Sequence, residues 1–583
     1  MHRSVPVTDN QDRLTVVPST AGVSDRSVPG ADYWRRLPRV RRMLLLPTLV
    51  AFSLVIGLAL GAGFARQGLL ILMIALIVGP LVWRRPIVAS YILVFALSTI
   101  EPSNMQFPDS ITDRVPFHKP LDQIGLPIPL SVAELSMFGL IALIAVKRIG
   151  ERKTPLSTGP IFIAMLVFTA MVIFGIVHGL SSGGDQVMMV WEVRALFYPF
   201  LMYLIIYNTV STKRDVVRLL WVFVAGIALK GLIGLFRFIF TLKLNLESIP
   251  DVSRANSLLS HEESLFFAAF ITFGLLLFIF KSDRTQLKFI ALFILPVMLA
   301  MMANQRRAGI LAILLSLVVI FVVVYVQIPQ KRRMLAYVAI AVLVFSVPYL
   351  ALFRNGGGGF IGEPAAAVLS TIRPSTRDAA SNEYRVLEAD NVGLNIALSP
   401  YTGAGFGVPM KQFLPIPDLT DIFPLWAYIP HNTILWIWLR LGIIGFGVFW
   451  FLVGRMLLQS TIVARNESDP YLKVVALLTV TIIMAWVAQG LVDMGIVDNR
   501  LNMMLGMMVG LTAAIPLLRR DDAKTPELVT DEAAASTRMT LRHAALERRA
   551  ATPVATEMSA LDGSDADSPS NRFQFKDRGQ GVG

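Results

Sequence analysis

The sequence predicts an all-α, polytopic transmembrane helical bundle of about 12–14 spans, with one large external loop between two late spans. Three observations predict it. Hydrophobic residues make up 55% of the 583 positions and charged residues only 16%, whereas a soluble domain carries roughly 25% charge. The apolar residues fall in long uninterrupted blocks, which a soluble core does not require. The basic residues gather at alternate ends of those blocks, the pattern of cytoplasmic loops.

Fourteen blocks approach the roughly 20 apolar residues a spanning helix needs. They lie near 43–63, 68–83, 86–100, 129–146, 160–178, 194–210, 217–241, 263–280, 287–303, 308–327, 334–353, 432–458, 472–491 and 501–518. The pair 68–83 and 86–100 is short and divided only by Trp83-Arg84-Arg85-Pro86, which leaves 12 or 13 spans open as well. Arg35, Arg36, Arg39, Arg41 and Arg42 precede the first block and set the N-terminus in the cytoplasm. Fourteen crossings then put Arg84-Arg85, Lys147-Arg148, Lys213-Arg214, Lys281, Lys331-Arg332-Arg333 and Arg519-Arg520 all inside. This placement accounts for most of the net charge of +13 without nucleic acid as a partner. There is no cysteine, which excludes a disulfide framework and thiolate metal sites.

Residues 1–42 read as a disordered cytoplasmic N-terminal tail, 43–520 as the transmembrane domain, and 521–583 as a disordered cytoplasmic C-terminal tail with a short helix around 534–550. The N-terminus does not read as a cleavable signal, because about 40 polar residues precede a block long enough to span.

The external loop, about 354–431, exceeds ordinary connections, and loops of that length are usually functional. It opens on Gly356-Gly357-Gly358-Gly359. Residues 379–398 predict an amphipathic helix with Val386, Leu387, Leu394 and Leu398 as its apolar face, stopped by Ser399-Pro400. Gly403-Ala404-Gly405-Phe406-Gly407 follows with no Gly-Lys-Ser/Thr, so it is no nucleotide P-loop and reads first as a tight turn. The loop closes on Pro430-His431-Asn432, at the outer mouth of a span. A histidine there can accept a proton from a hydroxyl, or it can simply cap the helix. His118, His178 and His261 also fall outside; His261-Glu262-Glu263 is not a zinc-protease motif, since position 265 is Leu.

Arg194, Arg254, Arg306, Arg307 and Arg385 also fall at the outer side, against the positive-inside trend. Unpaired charge at a membrane edge is unfavourable, so such residues are functional candidates, with headgroup snorkelling as the plain alternative. Guanidinium groups hold phosphate oxygens bidentately. Lys230, inside the seventh block, marks either a translocation path or a pair within the bundle.

Taken together, these motifs resemble the O-antigen ligase and polymerase family. His431-Asn432-Thr433-Ile434-Leu435 with Leu441-Gly442-Ile443-Ile444-Gly445 is similar to its His-Asn/Ser…Leu…Gly-Leu-Ile-Gly signature. Asn382-Glu383-Tyr384-Arg385, the segment Ser399–Gly407, and Gln305-Arg306-Arg307-Ala308-Gly309-Ile310-Leu311 resemble its loop arginine helix, its glycine turn and its Ser-Arg-Gly/Ala turn, over roughly 160–515 in all. Arginine stands at 306 where the family carries serine. The resemblance implies a glycosyltransferase without metal or cofactor, in the bacterial cytoplasmic (inner) membrane with its active site on the periplasmic side. Its partners would be a glycan donor on undecaprenyl diphosphate, a sugar acceptor (lipid A core or a growing lipid-linked glycan) and membrane lipids, with no nucleic acid. Carried over by motif, His431 would be the base; Arg194 and Arg307 would hold the diphosphate, supported by Arg306 and Arg385. Those arginines should disfavour the charged form of His431. The rival readings are a lipid-linked glycan flippase or polysaccharide transporter, and a peptidoglycan-type polymerase acting through a loop carboxylate such as Glu388 or Asp390.

Overall fold

The structure, a computed structural model, describes residues 79, 81–101, 112, 115, 117–121, 129–241, 258–304, 307–327, 329–354, 362, 365, 368, 369, 376–421 and 423–518. The blocks at 43–63 and most of 68–83, both tails and the helix expected around 534–550 lie outside these residues.

Every other expected block is a helix. In chain order they are α1 (Ile87–Thr99), α2 (Val132–Gly150), α3 (Phe162–Ser181), α4 (Gln186–Thr209), α5 (Lys213–Phe236), α6 (Glu263–Phe280), α7 (Arg284–Ala303), α8 (Arg307–Gln327), α9 (Arg332–Leu352), the loop helix α10 (Thr376–Leu398), α11 (Thr433–Asn466), α12 (Pro470–Val492) and α13 (Asn499–Leu518). Among the described residues ten of these are long and apolar enough to cross a membrane. The protein is therefore a multi-pass, all-α membrane protein, as its sequence predicts.

Caps explain several boundaries. Ser131 and Glu134 form a capping box at the start of α2, and Thr212 and Asp215 form another at α5. Asp185, Asp283 and Asp469 accept the first free amides of α4, α7 and α12. The α4 cap moves the helix start to Gln186, so Arg194 lies two turns inside the helix, whereas the sequence block began at that residue.

Helix α13 is the most deeply buried span. Gly506 and Gly510 bring it against Pro199, Met202 and Ile206 of α4, and its Thr512 hydroxyl meets Thr479 of α12 at 2.7 Å. Helix α11 packs on α12, α3 and the loop helix α10, while α5 packs on α1 and α7.

Polar contacts between helix ends fall into two sets. One joins Lys147 Nζ to the Arg84 carbonyl (3.1 Å), the Ser157 amide to Asn208 (2.7 Å), Lys213 to Asp469, and the Tyr471 hydroxyl to Gln286 (2.9 Å). The other joins Arg194 to Glu134, His178 to the Gly403 carbonyl, Arg500 to Glu262, and His431 to Glu388. The first set contains only residues that the basic-loop alternation assigns to one side, and the second only residues assigned to the other. The chain order and the packing thus agree on which helix ends lie together.

Lys230 is fully buried and paired with Glu101, with Glu263 at 3.9 Å and the Thr112 hydroxyl at 3.0 Å. A buried lysine paired in this way satisfies its own charge, which takes the bundle-pairing side of the two readings its position left open.

Candidate functional site

Helix α11 is broken one-third of the way along. Gly442 sits at φ 66° and ψ −175°, so the helical ladder stops there. A Cβ at this position would lie 2.0 Å from the Tyr401 carbonyl oxygen, so only glycine fits. The break frees carbonyls for the external loop. The Ala404 and Gly405 amides donate to the Leu439 and Arg440 carbonyls (2.7 and 3.1 Å), and the Ile443 amide donates to Pro400 (2.9 Å). On the other side of the loop the Phe406 amide donates to the Gly175 carbonyl of α3 (3.1 Å).

The glycine turn is therefore a packed joint, as the plain reading of its sequence anticipates. Its amides are spent on the protein, including Gly407 on Glu192 (2.5 Å), and none is left over as an anion nest. Gly405 lies at φ 77°, and a Cβ would sit 2.4 Å from Gly179. Gly405→Ala should therefore destabilise the protein by roughly 1–3 kcal/mol; an unchanged melting temperature in detergent would count against the joint.

A buried ion pair locks the same joint. Arg440 bonds Glu192 at 2.8 Å and donates to the Gly405, Val408 and Tyr428 carbonyls at 3.0, 2.6 and 2.7 Å. Trp436 Nε1 donates to Glu192 at 3.2 Å. The sequence signal for this pair was Arg440 inside an apolar block, a charge that requires a partner; Glu192 lies just before its block and joins the span only because α4 starts at Gln186.

Above the joint, α10 presents the opposite face from the one its apolar residues predict. Val386, Leu394 and Leu398 are exposed, while Glu388, Asn391, Val392 and Asn395 are buried. The physical reason is its partner. The returning segment 411–414 offers bare backbone, and amide side chains satisfy it. Asn391 accepts from the Phe413 and Leu414 amides (2.8 Å each) and donates to the Leu414 carbonyl (3.0 Å). Asn395 does the same for Lys411 (3.0 and 2.8 Å).

That buried face aims Glu388 at His431. His431 Nδ1 lies 3.0 and 3.2 Å from the two carboxylate oxygens, and the His431 amide donates to Oε2 at 2.8 Å. The imidazole thus meets a carboxylate, where the sequence suggested arginines. Tyr384, one turn earlier, packs edge-on against the ring at 5.8 Å. Its hydroxyl bonds Glu388 at 3.4 Å and accepts from Trp426 Nε1 at 2.7 Å. Burial and then the Glu388 charge push the Tyr384 phenol up to about 12, so it remains a donor. With Nδ1 carrying its proton toward Glu388, Nε2 keeps a free lone pair. Such an imidazole can take a proton from a hydroxyl.

A second imidazole lies close by. His261 Nδ1 is 3.4 Å from Asp493, whose carboxylate also accepts from Gln489 (3.3 Å) and the Met494 amide (2.9 Å). Burial pushes the Asp493 carboxyl up, but the His261 contact, the Met494 amide and the His431 imidazole outweigh it and hold the group below the ordinary range. The Thr433 hydroxyl, two residues beyond His431, donates to the Asp493 carbonyl at 3.3 Å.

The arginine turn joins the same end. Asn304 accepts from the Leu259 amide (3.0 Å) and donates to the Ser260 carbonyl (3.3 Å), next to His261. Arg307 opens α8 directly after that turn, while Arg306 lies outside the described residues. Arg385 is exposed on α10. Arg194 is buried: it holds Glu134 through two nitrogens (3.1 and 2.6 Å) and lies over the Trp191 ring. His118 is buried, and burial followed by the charges of Arg500 and Arg194 lowers it to about 3; Arg500 itself pairs with Glu262 and Glu263. Among the described residues no three His, Asp or Glu side chains converge as a metal site.

Residues 289–450 match the family model described as O-antigen ligase. This match supports membership of the O-antigen ligase family. The matched stretch runs from α7 through the Asn304 turn, α8, α9 and α10 to the first half of α11, so it contains His431, Glu388 and the glycine joint. A search of curated proteins gives no match. The family match supports an O-antigen ligase-type function in polysaccharide biosynthesis, of the glycosyltransferase-like kind.

Proposed function

We propose that the protein transfers a glycan from undecaprenyl diphosphate to a sugar hydroxyl at the periplasmic face of the bacterial inner membrane, without a metal. The observation that carries this reading is the grip of Glu388 on His431 Nδ1, which leaves Nε2 as a base. His431 is the catalytic base. Glu388, Tyr384 and Trp426 position it.

The donor arrives already activated, because a lipid diphosphate is a good leaving group. The enzyme must neutralise the departing charge and accept one proton. By motif, Arg307 at the start of α8 and Arg306, which lies outside the described residues, are the first candidates for the phosphates, with Arg385 on the loop helix as a further one. Arg194 belongs to the proposal through the family resemblance; its existing hold on Glu134 means that a diphosphate there would share its guanidinium. The basic residues gathered at the other end support putting this end of the bundle on the periplasmic side.

The test is transfer in proteoliposomes holding an undecaprenyl-diphosphate-linked glycan, with a chelator and no nucleotide sugar. Lipid A core and a second lipid-linked glycan are offered as acceptors. Glycan appearing on either acceptor supports the proposal and separates ligase from polymerase. Donor crossing the bilayer with no acceptor modified would replace it with the flippase reading.

A further inference from the structure

His261 lies between the two parts of the site that the proposed reaction needs. On one side its Nδ1 meets Asp493, whose carbonyl accepts from Thr433, two residues beyond His431. On the other side its chain neighbours Leu259 and Ser260 are pinned to Asn304, immediately before the arginine turn. The first turns of α6 and α8 are pressed together there, since a Cβ on Gly309 would lie 2.4 Å from the Ser264 side chain. His261 is thus held in place from both flanks, by a buried carboxylate and by a clamped backbone.

Its side chain is nevertheless 40% exposed, against 15% for Asp493. With Nδ1 occupied by the carboxylate, Nε2 is the nitrogen left to meet a ligand. The electrostatics need such a donor. Asp493 and Glu388 are both carboxylates at this edge, and bare carboxylates repel a diphosphate. An imidazole between Asp493 and the ligand turns an acceptor edge into a donor edge.

We propose that His261 is a further donor-binding residue, whose Nε2 donates to a phosphate oxygen of the lipid diphosphate between His431 and the Asn304 turn. This rests on the lipid-diphosphate reading above. It gives the site two imidazole–carboxylate pairs with separate tasks: Glu388–His431 removes the acceptor proton, and Asp493–His261 receives the phosphate.

The experiment is equilibrium binding of farnesyl diphosphate to the purified full-length protein in detergent, with melting temperatures recorded for each variant. His261→Asn keeps an amide near Nδ1, and so keeps the Asp493 contact, but loses the Nε2 donor. His261→Gln places its amide near Nε2. The expected result is that His261→Asn binds about tenfold more weakly, that His261→Gln recovers part of the loss, and that Lys213→Ala, at the other end of the bundle, binds like wild type. If both His261 variants bind within about twofold of wild type, the inference is overturned while the donor reading stands. It is equally overturned if Gln is the weaker binder and Asn is normal, since that order marks a residue that serves only to hold Asp493. Failure of wild type to bind farnesyl diphosphate at all would remove the donor reading and this inference together.

Discussion

His431→Ala should lower glycan transfer by roughly 10²–10⁴-fold while the protein still inserts and folds. The side chain is a quarter exposed, and among the described residues its hydrogen bonds and ring contacts are to Glu388 and Tyr384, so its removal strips polar contacts rather than core packing. Glu388→Gln is the more informative partner. A glutamine amide can donate to Nδ1, which forces the imidazole proton onto Nε2 and leaves no lone pair for the acceptor hydroxyl. Loss of the correct tautomer by such a swap costs up to about 10⁴-fold in a comparable triad. The loss should fall on kcat, with the donor KM little changed, because Glu388 faces the imidazole and is itself buried. Single-turnover transfer from a lipid-linked donor measures both variants. Transfer by Glu388→Gln at the wild-type rate would show that the carboxylate does not select the tautomer. Normal transfer by His431→Ala would remove the base assignment.

How much of this was legible in the sequence depends on which physical rule each residue obeys. Spans follow from length and apolarity alone, so each described block is recovered as a helix, although α4 begins well before its block and α11 runs well past its own. His431 was visible because a histidine at the mouth of a span is rare and its flanking residues follow a family pattern. Glu388 was visible only as a loop carboxylate, and its role was not. Periodicity assigned the apolar face of α10 to Val386, Leu387, Leu394 and Leu398, of which only Leu387 is half-buried, on the rule that buried faces are apolar. That rule fails where a helix packs on naked backbone, which must be hydrogen-bonded when it is buried. Asn391 and Asn395, one turn apart, were the signal for such packing. His261 and Asp493 come together from loops far apart in sequence, and nothing local announces their contact. Arg194 was selected for lying outside the membrane core without a visible partner. Its partner, Glu134, begins another helix, and a reading of one block at a time does not reach it.

Arg440→Ala should abolish activity without Arg440 touching substrate. Its guanidinium satisfies Glu192 and three loop carbonyls at once, all in the buried joint. Truncation strands an unpaired carboxylate inside the bundle, and breaking a buried pair in this way costs about 3–5 kcal/mol. The cost is local, since the bonds lost all tie segment 405–428 to α11 and α4. The Gly405, Val408 and Tyr428 carbonyls would lose their donor, and the path from the joint to His431 would loosen. Glu388 reaches His431 only because α10 is held against segment 411–414, which starts from that joint. Limited proteolysis should therefore show new cleavage between 408 and 431 in Arg440→Ala, with the remaining spans intact. Double replacement with apolar residues, Glu192→Leu with Arg440→Met, separates charge from tethering. Removing both charges relieves the stranded carboxylate, so stability should largely return, but the three carbonyls stay without a donor and the loop should remain cleavable. Full recovery of protease resistance in the double variant would mean that apolar packing alone holds the loop and that the carbonyl bonds are incidental.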